Sequence, residues 1–130
     1  MIIDTSAVLA ILFAEDDAAT YASAIAGAEV RLMSAANYLE AGVVIDNQVN
    51  GNGGRQFDAF IARADIAVEA VTREHAAIAR QAYLDFGKGN HPARLNFGDC
   101  FAYALAKATG LPLLFKGEDF TKTDLTSALD

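Results

Sequence analysis

Short apolar runs alternate with longer stretches of helical periodicity along the whole chain. Four runs have the length and composition of strands: Met1–Ile3, Val30–Met33, Ile66–Val71 and Leu111–Phe115. Neighbouring parallel strands need long crossovers, and those crossovers are usually helical. The alternation therefore predicts an α/β fold in which helices cover both faces of a mainly parallel sheet.

Capping residues and glycines mark the ends of the helices between these strands. Three helices are predicted before the middle of the chain: Ser6–Phe13, a helix capped by Asp16 that ends at Gly27, and a helix from Ala35 to about Gln48 that is capped by Ser34. Three more are predicted after it. One carries the apolar stripe Phe57, Phe60 and Ile61, one is capped by Thr72 and stops at Gly87, and one is capped by Asn96 and ends at Gly110. The stretch 50–54, NGNGG, predicts a turn. The aliphatic and aromatic side chains expected to face the core are Leu39, Val43, Val44, Phe97, Phe101 and Tyr103.

The length and composition predict one self-sufficient domain spanning 1–130. Its 130 residues, 53% of them hydrophobic, bury a core without disulfides or a structural metal. Cys100 is the only cysteine, which excludes an internal disulfide and suits a reducing cytoplasm. The first residues, MIIDTSAVLAILFAEDD, contain no basic leader and become acidic too early for a membrane span. We therefore expect a cytoplasmic protein with no membrane segment.

The charge of the chain limits its nucleic-acid binding. A net charge of -7 and a pI near 4.6 argue against broad, nonspecific adhesion, which needs a basic face. The most basic stretch is Gly87–Leu95, GKGNHPARL, which predicts an exposed loop. Its Lys88, His91 and Arg94 are candidates for phosphate contacts, and the alternative is a solvated loop. Attraction of a polyanion thus requires cations, these local basic residues or a second subunit.

Four acidic residues interrupt apolar sequence at the end of an element or on a helix face: Asp4, Glu40, Asp99 and Asp119. Asp4 closes the first strand and Asp119 follows the last one. Ligands of parallel sheets bind beyond the carboxyl ends of the strands. Asp99 takes the third helical position after Asn96, where the helix dipole favours an ionised carboxylate. These positions favour a shared acidic site.

Glu40 lies on an apolar helix face, so its burial requires a cation. Ordinary alternatives exist for three of the acids. Asp4 can be a solvated strand end, Glu40 a partly exposed helix residue, and Asp99 a common first-turn acid.

Oxygen ligands favour a hard divalent cation. Mg²⁺ and Mn²⁺ prefer carboxylates and water, and the sequence has no His or Cys cluster that suits a softer metal. Mg²⁺ is the simplest assignment. With waters completing its octahedron, it orients an attacking hydroxide and neutralises charge on the transition state of a phosphodiester. The acids therefore favour metal-dependent phosphodiester hydrolysis.

Four segments, in this order and spacing, resemble VapC-like PIN domains over essentially the whole chain: MIIDTSAVLAIL, LMSAANYLEAGVVI, LNFGDCFAYALAKATGLPLLFKGEDF and TKTD. The resemblance implies a three-layer α/β/α sandwich and an endoribonuclease toxin that requires Mg²⁺ or Mn²⁺. It also implies a homodimer and a VapB-like antitoxin, with DNA contacted only through that antitoxin. Asp4, Glu40 and Asp99 match the family's acidic positions. Asp4 and Asp99 are then the expected direct ligands, with Ser6 orienting the site.

The fourth acid is less clear because GEDFTKTD offers Glu118, Asp119 and Asp124. Asp119 is the preferred candidate, since the neighbouring Phe120 can fix its direction by burial. Glu118 is then expected to face solvent and Asp124 to cap a final turn. Lys116 is a candidate RNA contact; the alternative is an ion pair with Glu118 or Asp119.

Two other classes of function compete with a ribonuclease. A Mg²⁺-dependent phosphoryl-transfer enzyme is weakened because DTS lacks a second acid two residues after Asp4. A catalytically silent binding module is opposed by the intact acids. Thiol catalysis has little support, because neither Cys100 nor His75 lies in a nucleophile signature.

Overall fold

The computed structural model of the chain describes residues 1–48 and 51–129. The strands are β1 (Ile2–Ile3), β2 (Leu32–Ser34), β3 (Ala67–Glu69) and β4 (Leu113–Leu114). The helices are α1 (Thr5–Leu12), α2 (Ala18–Ala26), α3 (Ala35–Asp46), α4 (Gly53–Arg63), α5 (Arg73–Phe86) and α6 (Phe97–Thr109). A 3-10 turn, Asp119–Lys122, follows β4. Within these ranges, no helix combines the length and apolar character needed to cross a bilayer.

The strands form one parallel sheet in the order β3-β2-β1-β4. Each crossover carries a pair of helices, which satisfies the long connection that parallel neighbours require. The predicted α/β class and parallel sheet are confirmed. Because β1 and β4 are neighbours, their carboxyl ends open onto the same edge, and the amide of Asp4 donates to the carbonyl of Leu114 at 3.0 Å.

Two cores lie on opposite faces of the sheet, as the alternation of side chains along a strand requires. Ile2 and Leu113 pack with α5 and α6, whereas Ile3 and Leu114 pack with α1, α2, α3 and α4. This arrangement is the predicted three-layer α/β/α sandwich. It explains why β1 and β4 are fully apolar, since both of their faces are buried.

Three helix starts differ from prediction. The first helix begins at Thr5 and uses Asp4 as its N-cap. The second is preceded by Asp17, so the prediction of Asp16 as its cap is wrong, and the side chain of Asp17 makes no capping bond. The predicted turn at 50–54 is shorter, because Gly53 and Gly54 begin α4; residue 50 lies outside the described residues.

The prediction that Leu39 and Val43 face the core is wrong. Leu39 is 65% and Val43 51% exposed, and Val44 is half-buried. The inward face of α3 instead carries Asn37, Ala41 and Ile45 at a spacing of four, which places residue 39 on the other side of the helix.

The prediction of a core position is wrong for Phe97, which is 79% exposed. It is correct for Tyr103, and Phe101 is half-buried. Phe97 is the first residue of α6, where the helix projects beyond the core. The loop 87–95 exposes Lys88 and Arg94 as predicted, although Leu95 within it is buried.

Candidate active site

Asp4 sits between β1 and α1 with its carboxylate turned into the protein. Asp4 is only 3% exposed to solvent. The extended backbone of Asp4 makes it the N-cap of α1, and Oδ2 accepts hydrogen bonds from the amide (3.0 Å) and hydroxyl (2.6 Å) of Ser6. The cap thus satisfies a free amide of the helix while holding the carboxylate in place.

Ser6 also connects Asp4 to the residues that follow β4. Its Oγ accepts a hydrogen bond from the backbone amide of Lys116 at 2.9 Å while donating to Asp4. The hydroxyl therefore joins two segments that are 110 positions apart in sequence. This contact supports the predicted orienting role of Ser6.

Glu40 faces Asp4 from α3 through a second polar network. Thr5 Oγ1 donates to Glu40 Oε1 at 2.6 Å, and Asn37 Nδ2 lies 3.4 Å from the same oxygen. Asn37 is fully buried, and its Nδ2 also donates to the carbonyl of Gly98 at 3.0 Å. Asn37 Oδ1 has no hydrogen-bond partner among the described residues. These bonds hold α1, α3 and the start of α6 together around Glu40.

Gly98 leaves the space that Glu40 occupies. A Cβ at position 98 would overlap Oε2 of Glu40 and lie 2.8 Å from its Cδ. Any other residue at this position must displace the Glu40 carboxylate or the first turn of α6. The glycine thus permits the close approach of α3 and α6 at the acidic site.

Asp99 is held at the start of α6 by a reciprocal cap. Its amide donates to Asn96 Oδ1 at 2.9 Å, and the amide of Asn96 donates to Asp99 Oδ2 at 3.0 Å. This capping box satisfies two amides that the helix itself leaves unpaired. The predicted third helical position is correct.

The carboxylates converge closely enough to perturb one another. Burial, opposed by the Ser6 hydrogen bonds and assisted by the charge of Glu40, raises the pKa of Asp4 to about 6. Burial also raises the pKa of Asp99 to about 7, with further contributions from the negative charges of Asp4, Asp119 and Glu40. The site therefore concentrates negative charge in a partly desolvated space.

Among the three candidates for the fourth acid, Asp119 lies within electrostatic reach of Asp99. It begins the 3-10 turn and is exposed beside the buried Phe120. Glu118 is exposed as expected. Asp124 accepts hydrogen bonds from Tyr103 and Lys107, both at 2.8 Å, so the prediction that it caps a final turn is wrong. The Lys107 contact and the Tyr103 hydroxyl lower the pKa of Asp124.

None of the basic candidates forms a salt bridge with the four acids among the described residues. Lys116 Nζ pairs with Glu15 at 2.9 Å and Asp17 at 3.0 Å, so the predicted pairing with Glu118 or Asp119 is wrong. The bonds to Glu15 and Asp17 raise the pKa of Lys116 to about 12. The Nδ1 atom of His91 accepts from the amide of Ala93, and its ring packs edge-on against Phe86, which gives His91 a structural role.

The donor set fits a hard divalent cation. The four acids offer oxygen ligands only, two of them resist ionisation in the absence of positive charge, and a bound water or ion would satisfy the orphaned Asn37 Oδ1. No three His, Cys, Asp or Glu side chains in the described ranges stand close enough to hold a metal ion as they are. Mg²⁺ usually takes one or two carboxylates and completes its octahedron with waters, so such a site does not need three side chains in direct contact with the ion.

The raised pKa values predict how the stability of the metal-free protein depends on pH. Between 3.8 and about 7, folded Asp99 keeps a proton that the unfolded chain has released. The free energy of unfolding therefore falls as the pH rises through this window and levels off above it. Asp99→Asn lacks this proton, so its melting temperature in EDTA should rise relative to that of the parent between about pH 5 and about pH 7. A difference that stays constant with pH would contradict the prediction.

The sheet order, the two helical layers and the acidic edge define a class of protein. Comparison with known protein families identifies that class. The PIN domain family model matches residues 1–125, so the chain belongs to the PIN domain family. Its relatives include ribonuclease VapC28 of Mycobacterium tuberculosis, which is 55% identical over 131 residues and covers 100% of this chain and 98% of the relative. Ribonuclease VapC of Mycolicibacterium smegmatis is 51% identical over 127 residues, with 98% of each chain covered. The resemblance predicted from the sequence is confirmed.

A solved structure shares the fold. VapC20 of Mycobacterium tuberculosis, a toxin that cleaves the sarcin-ricin loop, matches with a TM-score of 0.77 over 96% of this chain and 95% of that one. The two sequences are 19% identical, so this likeness concerns the fold.

Sequence reasoning missed Thr5, Asn37 and Gly98, which position Glu40. Two of them are unusual for their positions in the sequence. Asn37 is a polar residue on the buried face of α3, three positions before Glu40, and Gly98 lies in the first turn of a helix, where glycine is unfavourable. Thr5 has no such feature in the sequence beyond its place in the DTS motif.

Proposed function

We propose that this chain is a Mg²⁺-dependent endoribonuclease, with Mn²⁺ as a substitute, and the toxin of a VapBC-type toxin–antitoxin pair. The observation that carries the proposal is the placement of three carboxylates at one edge of the sheet: Asp4 follows β1, Glu40 is bonded to the adjacent Thr5, and Gly98 admits Glu40 beside Asp99. PIN-domain VapC ribonucleases are generally metal-dependent.

The residues divide the work by their positions. Asp4 and Asp99 would hold Mg²⁺ directly, and Glu40 and Asp119 would complete the negative site directly or through water. Ser6 keeps Asp4 oriented, and Thr5 keeps Glu40 oriented, through bonds of 2.6 Å each. When bound, the metal supplies an activated water and charge neutralisation for phosphodiester hydrolysis. Glu40 and Asp119 would order that water, and one of them would take the proton that it releases as it attacks phosphorus.

Sequencing RNA ends after induction of the chain tests this function and identifies the substrate together. New 5′ or 3′ ends should accumulate with the intact chain and be absent with Asp4→Asn. Purified protein should produce the same ends with Mg²⁺ and none in EDTA. Identical ends from Asp4→Asn and the parent would rule out the metal mechanism.

Lys88, Arg94 and Lys116 are proposed to attract RNA to the acidic site, whereas His91 contributes mainly to the loop structure. Lys88→Ala and Arg94→Ala should each weaken RNA binding and lower the slope of log affinity against log salt by about 0.7, the value for one lost phosphate contact on a single strand. Both residues are exposed, so metal binding and the melting temperature should not change. Arg63→Ala, an exposed position on α4, is the matched control. An unchanged slope in both loop variants would assign RNA contact elsewhere.

We also propose a homodimer that binds a VapB-like antitoxin whose basic side chain enters the acidic cleft. The exposed Leu39 and Val43 lie one turn apart on the same side of α3, and adjacent exposed apolar residues, unlike single ones, are typical of protein interfaces. The clustered carboxylates favour an Arg or Lys from a partner. Sedimentation of the chain, alone and with the product of the neighbouring gene, should show dimers and a complex. Monomers in both samples would contradict this proposal.

A further inference from the structure

An open groove lies between α5 and α6, close to the acidic site. We call it the α5–α6 groove; it has a volume of about 610 Å³, and its lining includes Arg80, Tyr83, Lys88, Asn96, Phe97 and Phe101. Its surface is mostly apolar, with aromatic rings on its walls and two cationic side chains. Neither the metal mechanism nor the packing of the core uses these rings.

Phe97 lines this groove and leaves most of its surface open to solvent. It is 79% exposed, whereas burying a phenylalanine side chain stabilises a protein by about 1.5–3 kcal/mol. Phe101 contacts it edge-on, with ring centroids 4.9 Å apart and an interplanar angle of 83°. This contact holds the Phe97 ring in a defined orientation while leaving it open. One exposed apolar residue is ordinary, so the neighbouring charges decide what the groove can bind.

Those neighbours are two cations without acidic partners. Arg80 and Lys88 are exposed, and neither forms a salt bridge with any residue in the described ranges. The Tyr83 hydroxyl donates to the carbonyl of Lys88 at 3.3 Å, which ties the loop to the side of the groove. Unpaired cations beside aromatic rings, in a chain of net charge -7, complement a ligand that is both aromatic and anionic.

The groove and Asp99 share the first turn of α6. Asn96 lines the groove, and its amide donates to Asp99 Oδ2 at 3.0 Å. Phe97 precedes Asp99 by two residues. Residues two apart on a helix point to different sides, so a base on Phe97 and a phosphodiester at Asp99 would lie on adjoining faces of the same helix end.

We propose that the α5–α6 groove binds an unpaired RNA base flanking the scissile phosphodiester, with the base stacked on Phe97 and adjacent phosphates held by Arg80 and Lys88. This inference rests on the proposed ribonuclease function and adds a substrate class to it. A base inside a duplex has no free face, whereas single strands and loops offer bases for stacking on aromatic side chains. The groove thus selects RNA in which this base is unpaired.

Binding measured without cleavage tests the stacking contact. The probe is a short fluorescein-labelled RNA of mixed sequence, either single-stranded or annealed to its complement, titrated with the Asp99→Asn chain. Adding Phe97→Ala should weaken binding of the single strand on the order of 10- to 100-fold and barely affect the duplex. Phe97→Tyr should bind like the parent, and Phe97→Leu should not restore binding. Leu84→Ala, an exposed position on α5, is the matched control.

Salt titration separates the ring from the charges. Arg80→Ala should lower the slope of log affinity against log salt by about 0.7, whereas Phe97→Ala should leave the slope unchanged. Arg73→Ala removes another exposed cation of α5 outside the groove lining and should change neither affinity nor slope.

Several results would overturn the groove proposal. The first is undetectable binding of the single strand at low salt, and the second is equal RNA affinity of Phe97→Leu and the parent. The third is a change from dimer to monomer in Phe97→Ala with unchanged RNA affinity, which would assign the groove to a second copy of the chain. Cleavage by the unmodified chain separates the two proposals. Phe97-dependent binding without Mg²⁺-dependent cleavage would refute the ribonuclease function and leave only the stacking of an unpaired base on Phe97 supported.

Discussion

Asp99→Asn is expected to lower the rate of RNA cleavage by more than about 100-fold, because changes to residues that only orient a metal ligand already cost about 10- to 100-fold. The amide keeps the shape of the side chain and an oxygen that can accept from the amide of Asn96, so the cap of α6 is retained. What it removes is the charge that holds Mg²⁺. The measurement is the cleavage rate against Mg²⁺ concentration.

Thermal melts of the same proteins show whether the loss is local. In EDTA near neutral pH, Asp99→Asn should melt at or above the temperature of the parent, since it removes a carboxylate whose pKa is raised to about 7. Added Mg²⁺ should stabilise the parent and not the variant, because only the parent binds it tightly. Asp58→Asn, an exposed position on α4, is the matched control and should behave like the parent. Full cleavage by folded Asp99→Asn would refute the role assigned to Asp99.

Gly98→Ala should reduce cleavage by about 100-fold even though it leaves every carboxylate in the chain. The added methyl group would overlap the Glu40 carboxylate, so either Glu40 leaves its bond to Thr5 or the start of α6 moves. The first shift misplaces the Glu40 carboxylate and the second misplaces Asp99, so in both cases an acid of the site leaves its position. The rate at saturating RNA and the Mg²⁺ concentration for half-maximal rate should both change.

Gly42→Ala is the matched control for this substitution. It lies on α3 two residues after Glu40, and its Cβ would meet Phe57 at 3.6 Å, an ordinary contact. It should leave cleavage unchanged and raise the free energy of unfolding by about 0.5–1 kcal/mol, because alanine is favoured over glycine inside a helix. Equal cleavage by Gly98→Ala and the parent would show that the approach of Glu40 to α6 does not matter for activity.

Local patterns were sufficient to predict the layers of the fold. The apolar strands Ile2–Ile3 and Leu113–Leu114, buried on both faces, required helices above and below the sheet. The capping side chains of Ser34, Thr72 and Asn96 form the hydrogen bonds expected of them. These features depend on residues close in sequence, and therefore leave a signal there.

The outward positions of Leu39 and Phe97 could not be predicted in the same way. Both residues are apolar and lie in helices with a buried face, so periodicity alone assigned them to the core. Their exposure depends on how α3 and α6 approach each other, and one contact in that approach is the hydrogen bond from Asn37 to Gly98, 61 positions apart. Lys116 is a similar case, because its partners Glu15 and Asp17 are about a hundred residues away in sequence.

The sequence by itself determined the parallel α/β/α order, the family and the set of acids that interrupt apolar elements, because each depends on local periodicity or on motifs kept in register along the chain. Only the tertiary structure decided that Thr5, Asn37 and Gly98 hold Glu40 in place, and that Phe97 opens onto a groove lined by unpaired cations. These arrangements arise where three helices meet at one edge of the sheet. The energies that select them are contacts between segments distant in sequence, which no local pattern encodes.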